Sequence, residues 1–592
     1  MNDLDEIIKF GDEIIRPTAT ESNMGDYDTA RKNFSWEDVK KQLFWFDDAM
    51  TKTNTAYNMI DRHLTDGRED KVALKWKGAS GEKEEYSFRD LKKLTDKFAN
   101  VLGNLGIKRG DRFFTYSSRI PELYIAILGC IKCGVIPAPL FGAFGPSAIY
   151  DRINDCQGIG ILTTPQLKHN VDSVRDKLPS LKHVIVVDRG SDQKKQEECQ
   201  GDGVVNYNDE MSKASDNFNV EIMDYDDPVI IHYTSGSTGK PKGVVHAQRG
   251  MLGRYITTKY VHDIRDDDIY WCTADPGWVT GTAYGIFGPW LCGATQVSHE
   301  GRFDPDVWYS IIEDYKVTVW YSAPTAFRLL MNCEDAIKRH NISSLRHIGS
   351  VGEPLNPEVV RWAMKAYKQP IYDNWWQTET GMILISNYPS MPVKPGSMGK
   401  PMPGVVAGVV NREGENLPPY TPGHLVIKPG WPAMMKEIWK NRAKYDSYFD
   451  IPGWYDTDDA AFIDEDGYFW FVGRTDDVIK TSGERVGPFE VESALIEHPA
   501  VSEAGVIGKP DAVRGEIIKA FVTLRAGYAP SDELKNEIQM FIKNNMAKHA
   551  WPRELEFRDR LPKTRSGKIM RRVLRAEEMG LPVGDLSTLD DD

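Results

Sequence analysis

The densest run of reactive residue types is Tyr233-Thr234-Ser235-Gly236-Ser237-Thr238-Gly239-Lys240-Pro241-Lys242-Gly243. Hydroxyls and backbone N–H groups packed this closely can wrap phosphate oxygens. The glycines permit close backbone approach, and Lys240 and Lys242 add charge. This is not the P-loop of nucleoside triphosphatases. Thr234 stands where that motif needs its first glycine, and Pro241 follows Lys240 where it needs Ser or Thr. An ordinary hairpin turn rarely stacks these residue types so densely.

A second run is Tyr372-Asp373-Asn374-Trp375-Trp376-Gln377-Thr378-Glu379-Thr380-Gly381. Thr378 beside Glu379 sets a hydroxyl next to a carboxylate. Such a pair can serve a phosphate oxygen and its Mg²⁺, a cation that takes one or two carboxylates plus substrate oxygens. The bland reading is a strand end whose tryptophans fill the core, which suits Trp375. The third run, Leu561-Pro562-Lys563-Thr564-Arg565-Ser566-Gly567-Lys568-Ile569-Met570-Arg571-Arg572, holds five positive charges and no acid. A charge run is usually a solvated face, but Ser566-Gly567 make a loop able to carry the Lys568 ammonium into a site.

These runs need elements to position them. Short β-branched stretches alternate with helical periodicity, the pattern of α/β layering. Strands are expected at 183–187, 228–233 and 317–321, and helices at 87–105 and 533–546. The phosphate-type loop lies between two strand-like runs and does not open a helix. The polar stretch 191–216 reads as a surface excursion. From about residue 468 a compact unit follows: strands at 468–472, 504–507 and 518–524, with a helix at 488–497.

Composition narrows the class. At ~150 residues per domain, 592 residues give about four folding units. With 41% hydrophobic residues the chain is globular. Lys and Arg number 73 against 87 acids, a net charge of −14, which argues against nucleic acid or an anionic membrane as partner. The most apolar stretch, 124–145, is broken by Lys132, Pro137 and Pro139, so it reads as buried helix and strand. Seven irregularly spaced cysteines and an acidic start point to a reducing, cytoplasmic setting. Cys130 and Cys133 form one CxxC, read as core thiols.

In this order the three runs resemble those of the acyl-adenylate-forming superfamily, which includes acyl-CoA synthetases, adenylation domains and beetle luciferases, over roughly residues 70–585. WCTADPGWVTG (271–281), SVGEPLNPE (350–358), GRTDDVIKTSGERVGPFEVES (473–493) and LPKTRSGKIMRR (561–572) are similar to the AMP-forming acetate–CoA ligases in particular. The resemblance implies an α/β fold. Residues 1–474 would form a large N-terminal adenylate-forming domain of layered sheets and helices, and 475–592 a small mobile α+β C-terminal domain. It implies ATP-dependent ligation of acetate to coenzyme A through an acetyl-adenylate, giving acetyl-CoA, AMP and pyrophosphate, reversibly. A propionate or butyrate ligase is the alternative. ATP, Mg²⁺ and coenzyme A are the implied cofactor and co-substrates.

The resemblance also implies roles. Thr234, Ser235, Gly236, Ser237, Thr238, Gly239, Lys240 and Lys242 cradle the β- and γ-phosphates. Gly352, Glu353 and Pro354 line the adenine, facing Asp373, Asn374 and Trp375, with Trp376 and Gln377 beside them. Thr378 touches the α-phosphate and Glu379 holds Mg²⁺. Asp459 grips the ribose, Arg474 and Arg485 add cationic contacts, and Lys568 reaches the α-phosphate during adenylation. Asp458 replaces the family's usual glycine before the ribose aspartate. Val279, Thr280, Val351 and Trp376 form the acetate pocket, the indole limiting chain length. Asp476 matches the hinge, Ser482 and Gly483 the coenzyme A tunnel, and Lys543 a basic position for its phosphate. Ile496 and Val501 backbone with the His498 side chain resemble a structural Mg²⁺ site, and a capping histidine is the equal alternative. The surroundings of Lys568 match a lysine modified by an acetyltransferase and restored by a deacetylase.

Overall fold

The computed structural model describes the chain except residues 1–12, 17–20, 191–200, 236–240, 476, 482–483, 512, 547–549, 565–567, 584–585, 587–588 and 590–592. Its architecture is α/β with a separate α+β unit at the C-terminal end. A parallel sheet of Ile136–Leu140, Arg112–Tyr116, Gly160–Thr163, His183–Val186 and Val204–Asn206 forms one layer. The helix Phe88–Asn104 packs near it. Ser87 caps that helix and exchanges hydrogen bonds with Asp90, while Phe88, Leu91, Phe98, Val101 and Leu102 recur on the buried face. The apolar stretch noted above forms the helix Pro121–Lys132 and the strand Ile136–Leu140. Among the described residues no helix is long and apolar enough to cross a membrane.

The second layer is a 13-stranded mixed sheet. Its centre is parallel: Ile371–Trp375, His347–Ser350, Val319–Ser322, Ile269–Cys272, Thr295–His299 and Val72–Lys77. Antiparallel strands extend it on both sides, including Tyr455–Ile463 and Phe469–Arg474. Pro228–Ser235 and Pro241–Ala247 form an antiparallel hairpin, as the sequence indicated. Its register sets Thr234 opposite Lys242 near the tip. One expectation fails. Within 191–216, the described part contains the strand Val204–Asn206 and the helix Tyr207–Lys213, with Tyr207 and Met211 in the main core. Two apolar side chains one turn apart suffice to dock a short helix that otherwise reads as polar surface.

The C-terminal unit has its own core around Val491, Leu495, Val501, Val506, Val522, Ile538 and Ile542. Its central hairpin, Val501–Asp511 with Gly515–Leu524, is flanked by the helices Pro488–Ile496 and Asp532–Asn545. Among the described residues, contacts that tie this unit to the large domain include two polar pairs. Asn356 Nδ2 donates to Ser493 Oγ at 2.9 Å, and Arg361 Nη1 lies 3.6 Å from Glu497.

Candidate active site

The parallel strands end together, and the loops beyond their carboxyl ends carry the predicted residues. Ligands of open α/β sheets bind at that edge. Ser350 ends one strand and leads to Val351-Gly352-Glu353-Pro354, while Trp375 ends the next and leads to 376–379. Gly352 has φ +91°, and a Cβ built there would meet no atom within 4 Å, so this turn leaves open space beside it. Glu353 is turned to Thr325 Oγ1, 2.7 Å, and Arg328 Nη2, 2.8 Å. Asp373 is buried, and burial pushes its carboxyl up to about 8, partly offset by the Ser350 hydroxyl and the Asn374 and Leu355 N–H groups. Asn374 bridges the strands, accepting from Tyr321 Oη at 3.0 Å and donating to the Ser350 carbonyl at 2.7 Å.

Lys242 and Glu379 meet at the mouth of the hairpin, Nζ to Oε1 2.7 Å. Tyr448 joins them, donating to Glu379 Oε1 at 3.0 Å and accepting from Lys242 Nζ. Burial is the strongest influence on the Glu379 carboxyl and pushes upward. Lys242 and the Tyr448 hydroxyl outweigh it, and the group stays ionised below its ordinary range. A buried, ionised carboxylate of this kind suits a hard cation. Thr234 Oγ1, Asp373 Oδ1 and Trp376 Nε1 are buried without a hydrogen-bond partner among the described residues. Three such atoms on neighbouring walls suit a polar ligand.

Asp459 lies on Tyr455–Ile463, opposite Arg474 in register. Its Oδ2 accepts from Trp375 Nε1 and Gln377 Nε2, each at 3.0 Å, and its Oδ1 lies 3.6 Å from Arg474 Nε. Asp458 takes φ 58°, the left-handed conformation a glycine would supply there. Aspartate is among the few other residues that adopt it readily, so the turn keeps its shape. Lys568 enters from the C-terminal unit. The residue is exposed, while desolvation where its ammonium enters the cleft and the nearby Arg474 lower its pKa and Asp459 raises it. Its backbone is clipped to Thr564 by N–H to Oγ1, 3.1 Å, and by Thr564 N–H to the Lys568 carbonyl, 2.7 Å. The third run thus brings Lys568 within electrostatic reach of Asp459 and Arg474 of the large domain.

Val279, Val351 and Trp376 fall into one apolar cluster with Tyr284 and Cys272, and Thr280 adjoins Val279 on the short helix Val279–Thr282. The Trp376 ring meets the Tyr284 ring edge-on at 5.1 Å, and Tyr284 Oη is fixed by the Ile383 N–H at 2.7 Å and Thr257 Oγ1 at 2.8 Å. Arg485 lies on the strand Glu484–Val486 and Ser235 ends the first hairpin strand. Lys543 is exposed on Asp532–Asn545, its Nζ 5.4 Å over the Trp551 ring. Gly236, Ser237, Thr238, Gly239, Lys240, Asp476, Ser482 and Gly483 lie outside the described residues.

The chain matches the family model of AMP-binding enzymes over residues 61–439 and that of the AMP-binding enzyme C-terminal domain over 490–568. It is 53% identical to an acetyl-coenzyme A synthetase of Bacillus subtilis, across 96% of this chain and 98% of that protein. An acetyl-coenzyme A synthetase of Pyrobaculum aerophilum is 41% identical, across 94% and 90%. The chain belongs to the acetyl-coenzyme A synthetase family of AMP-binding enzymes. A solved acyl-CoA synthetase of Brucella canis superposes with a TM-score of 0.72 at 34% identity, covering 94% of this chain and 99% of that one. An anthranilate CoA ligase, solved in complex with anthranoyl-AMP, gives 0.82 at 30%, covering 89% and 98%.

For this family member, His498 is buried and satisfied within the protein. Its Nδ1 accepts from the Ala500 N–H at 3.2 Å and its Nε2 lies 3.5 Å from Glu537, while the Val501 carbonyl accepts from Arg525 Nε at 2.9 Å. That arrangement fits a capping histidine better than a cation cage. Sequence reasoning missed Tyr448, Tyr284 and Arg328, which stand in no motif.

Burial raises the Asp459 carboxyl from 3.8 to about 6, against the opposing pull of Arg474, Trp375, Lys568 and Gln377. A raised folded-state value means the buried carboxylate costs stability above that pH, a cost that fades as pH falls toward the unfolded value. Binding of a ribose hydroxyl, the role the resemblance gives Asp459, would run the other way, because protonation removes an acceptor. AMP affinity, measured by calorimetry from pH 8 to pH 5, should therefore weaken as pH drops through about 6. Asp459→Asn should flatten that dependence, and an unaltered profile in the variant would assign the titration elsewhere.

Proposed function

We propose that this protein ligates acetate to coenzyme A at the expense of ATP, through an enzyme-bound acetyl-adenylate. One observation carries the reading. Lys568, from the C-terminal unit, shares a charge cluster with Asp459 and Arg474 of the large domain, at the sheet edge where the Trp376 indole packs edge-on against Tyr284 in an apolar cluster with Val279 and Val351.

Acetate is already ionised at neutral pH, with a model carboxyl pKa of about 4, so it needs no general base. One carboxylate oxygen attacks the α-phosphorus and pyrophosphate leaves. Catalysis then rests on positioning and charge. Thr234 to Lys242 hold the outer phosphates, and Thr378 touches the α-phosphate. Glu379 would hold Mg²⁺, which neutralises charge as pyrophosphate departs. Gly352, Glu353 and Pro354 face 373–375 across the adenine, and Asp459 takes the ribose hydroxyls. Lys568 neutralises the developing charge between carboxylate and α-phosphate. The domain division at 474/475, with Asp476 as hinge, lets the small unit rotate afterwards. Lys568 then withdraws, and Ser482, Gly483, Arg485 and Lys543 present coenzyme A. Its thiolate attacks the acyl carbon and AMP leaves. We place the enzyme in the cytoplasm, under reversible acetylation of Lys568, which removes the charge.

A screen of carboxylates from formate to hexanoate with ATP and coenzyme A, read as AMP release, tests the assignment. Acetate should give the highest kcat/KM, and a maximum at butyrate would favour the longer-chain reading. Trp376→Gly removes the indole and should move that maximum toward longer acids, whereas retained acetate preference would place the pocket elsewhere. One methylene is worth about 1–3 kcal/mol in an apolar pocket, so wild-type protein should accept propionate slowly. Lys568→Ala should slow adenylation by about 10²–10³, the scale of losing one electrostatic contact to the transition state. It should spare thioester formation from supplied acetyl-adenylate. Equal loss in both half-reactions would refute that division.

A further inference from the structure

The hydroxyl of Tyr448 sits where two charges meet. Lys242 Nζ and Tyr448 Oη both fall on Oε1 of Glu379, at 2.7 and 3.0 Å. Lys242 also donates to the phenol itself, closing a three-membered ring of contacts. The phenol is held from every side. Its side chain is 3% exposed, its ring stacks on Tyr455 at 5.4 Å, and the Lys444 ammonium lies 4.3 Å above it. Tyr455 in turn donates to Gln377 Oε1 at 3.2 Å, and Gln377 Nε2 donates to Asp459. The Tyr448 hydroxyl is thus a fixed donor to Glu379, while its ring packs on the Tyr455–Gln377–Asp459 chain.

The two partners of Glu379 differ in what they can afterwards do. Lys242 is on the phosphate-binding hairpin, on a flexible four-carbon stem. A polyphosphate at the hairpin tip competes for its ammonium with a single carboxylate. If Lys242 were the sole anchor, Glu379 would lose its orientation at the moment a cation needs it. Tyr448 is a neutral donor, and a polyphosphate draws it less than it draws an ammonium; its ring is held in place by stacking on Tyr455.

Resting on the ATP and Mg²⁺ roles given above, we propose that Tyr448 is a positioning residue. It holds Glu379 through Oε1 and so would keep the carboxylate oriented for the Mg²⁺ it would hold, while Lys242 is drawn onto phosphate. The residue touches neither substrate nor metal and acts through Glu379.

The test compares ATP binding by calorimetry, with Mg²⁺ and with chelator, in wild-type protein and Tyr448→Phe. Phenylalanine keeps the stacking on Tyr455 and removes only the hydroxyl. The gain in ATP affinity that Mg²⁺ confers should shrink about tenfold, the scale of one hydrogen bond to a charged group. Affinity in chelator should be unchanged, as should the melting temperature. An undiminished Mg²⁺ gain would overturn the proposal, and so would an equal loss with and without metal, which would mark general packing. Because the readout is binding, wild-type protein that binds MgATP but shows no acetate-dependent turnover would refute the reaction above and leave this role standing.

Discussion

Everything in the cleft depends on keeping opposite charges buried side by side without letting them neutralise one another permanently. Lys242 and Glu379 lie 2.7 Å apart in a water-poor setting, where a charge stripped of its partner is expensive. The function proposed above also gives each a ligand, phosphate for the lysine and a cation for the carboxylate. Their mutual pairing compensates both buried charges, and in the proposed reaction ligand entry would exchange one set of pairs for another. Asp459 and Arg474 repeat the arrangement at 3.6 Å, with Lys568 added from the C-terminal unit.

The fold explains why these groups converge. Parallel strands finishing at Cys272, Ser322, Ser350 and Trp375 deliver four loops to one edge. The antiparallel extension brings Asp459 and Arg474 alongside, and the separate hairpin lowers Thr234 and Lys242 onto the same edge. No covalent nucleophile or general base is required, so rigid backbone positioning can supply most of what the chemistry asks. In the function proposed above, the part that would move is Lys568, which comes from the small unit, whose ties to the large domain include Asn356–Ser493 and Arg361–Glu497.

Much of this was legible in the sequence. The helix at 87–105 appears as Phe88–Asn104 and that at 533–546 as Asp532–Asn545, because their apolar periodicity coincides with their burial. The phosphate-type hairpin was readable from strand-like runs on both sides of Thr234 and Lys242. Tyr448 was not, since its importance lies in a contact across 69 residues to Glu379 that no local pattern encodes. Tyr207–Lys213 was read as surface because two buried side chains in a polar stretch leave little periodic signal. Asp458 was recognised as a departure, but only the backbone angle shows that it adopts the glycine conformation it replaces.

The central chemical claim is that a carboxylate oxygen becomes bonded to the α-phosphorus. Acetate carrying ¹⁸O in both positions, turned over with unlabelled ATP and coenzyme A, tests it at the level of atoms. Mass spectrometry of the nucleotide should find a single heavy oxygen on the phosphate of AMP and none in pyrophosphate. Unlabelled AMP, or heavy oxygen in inorganic phosphate accompanied by ADP, would contradict an adenylate on the reaction path.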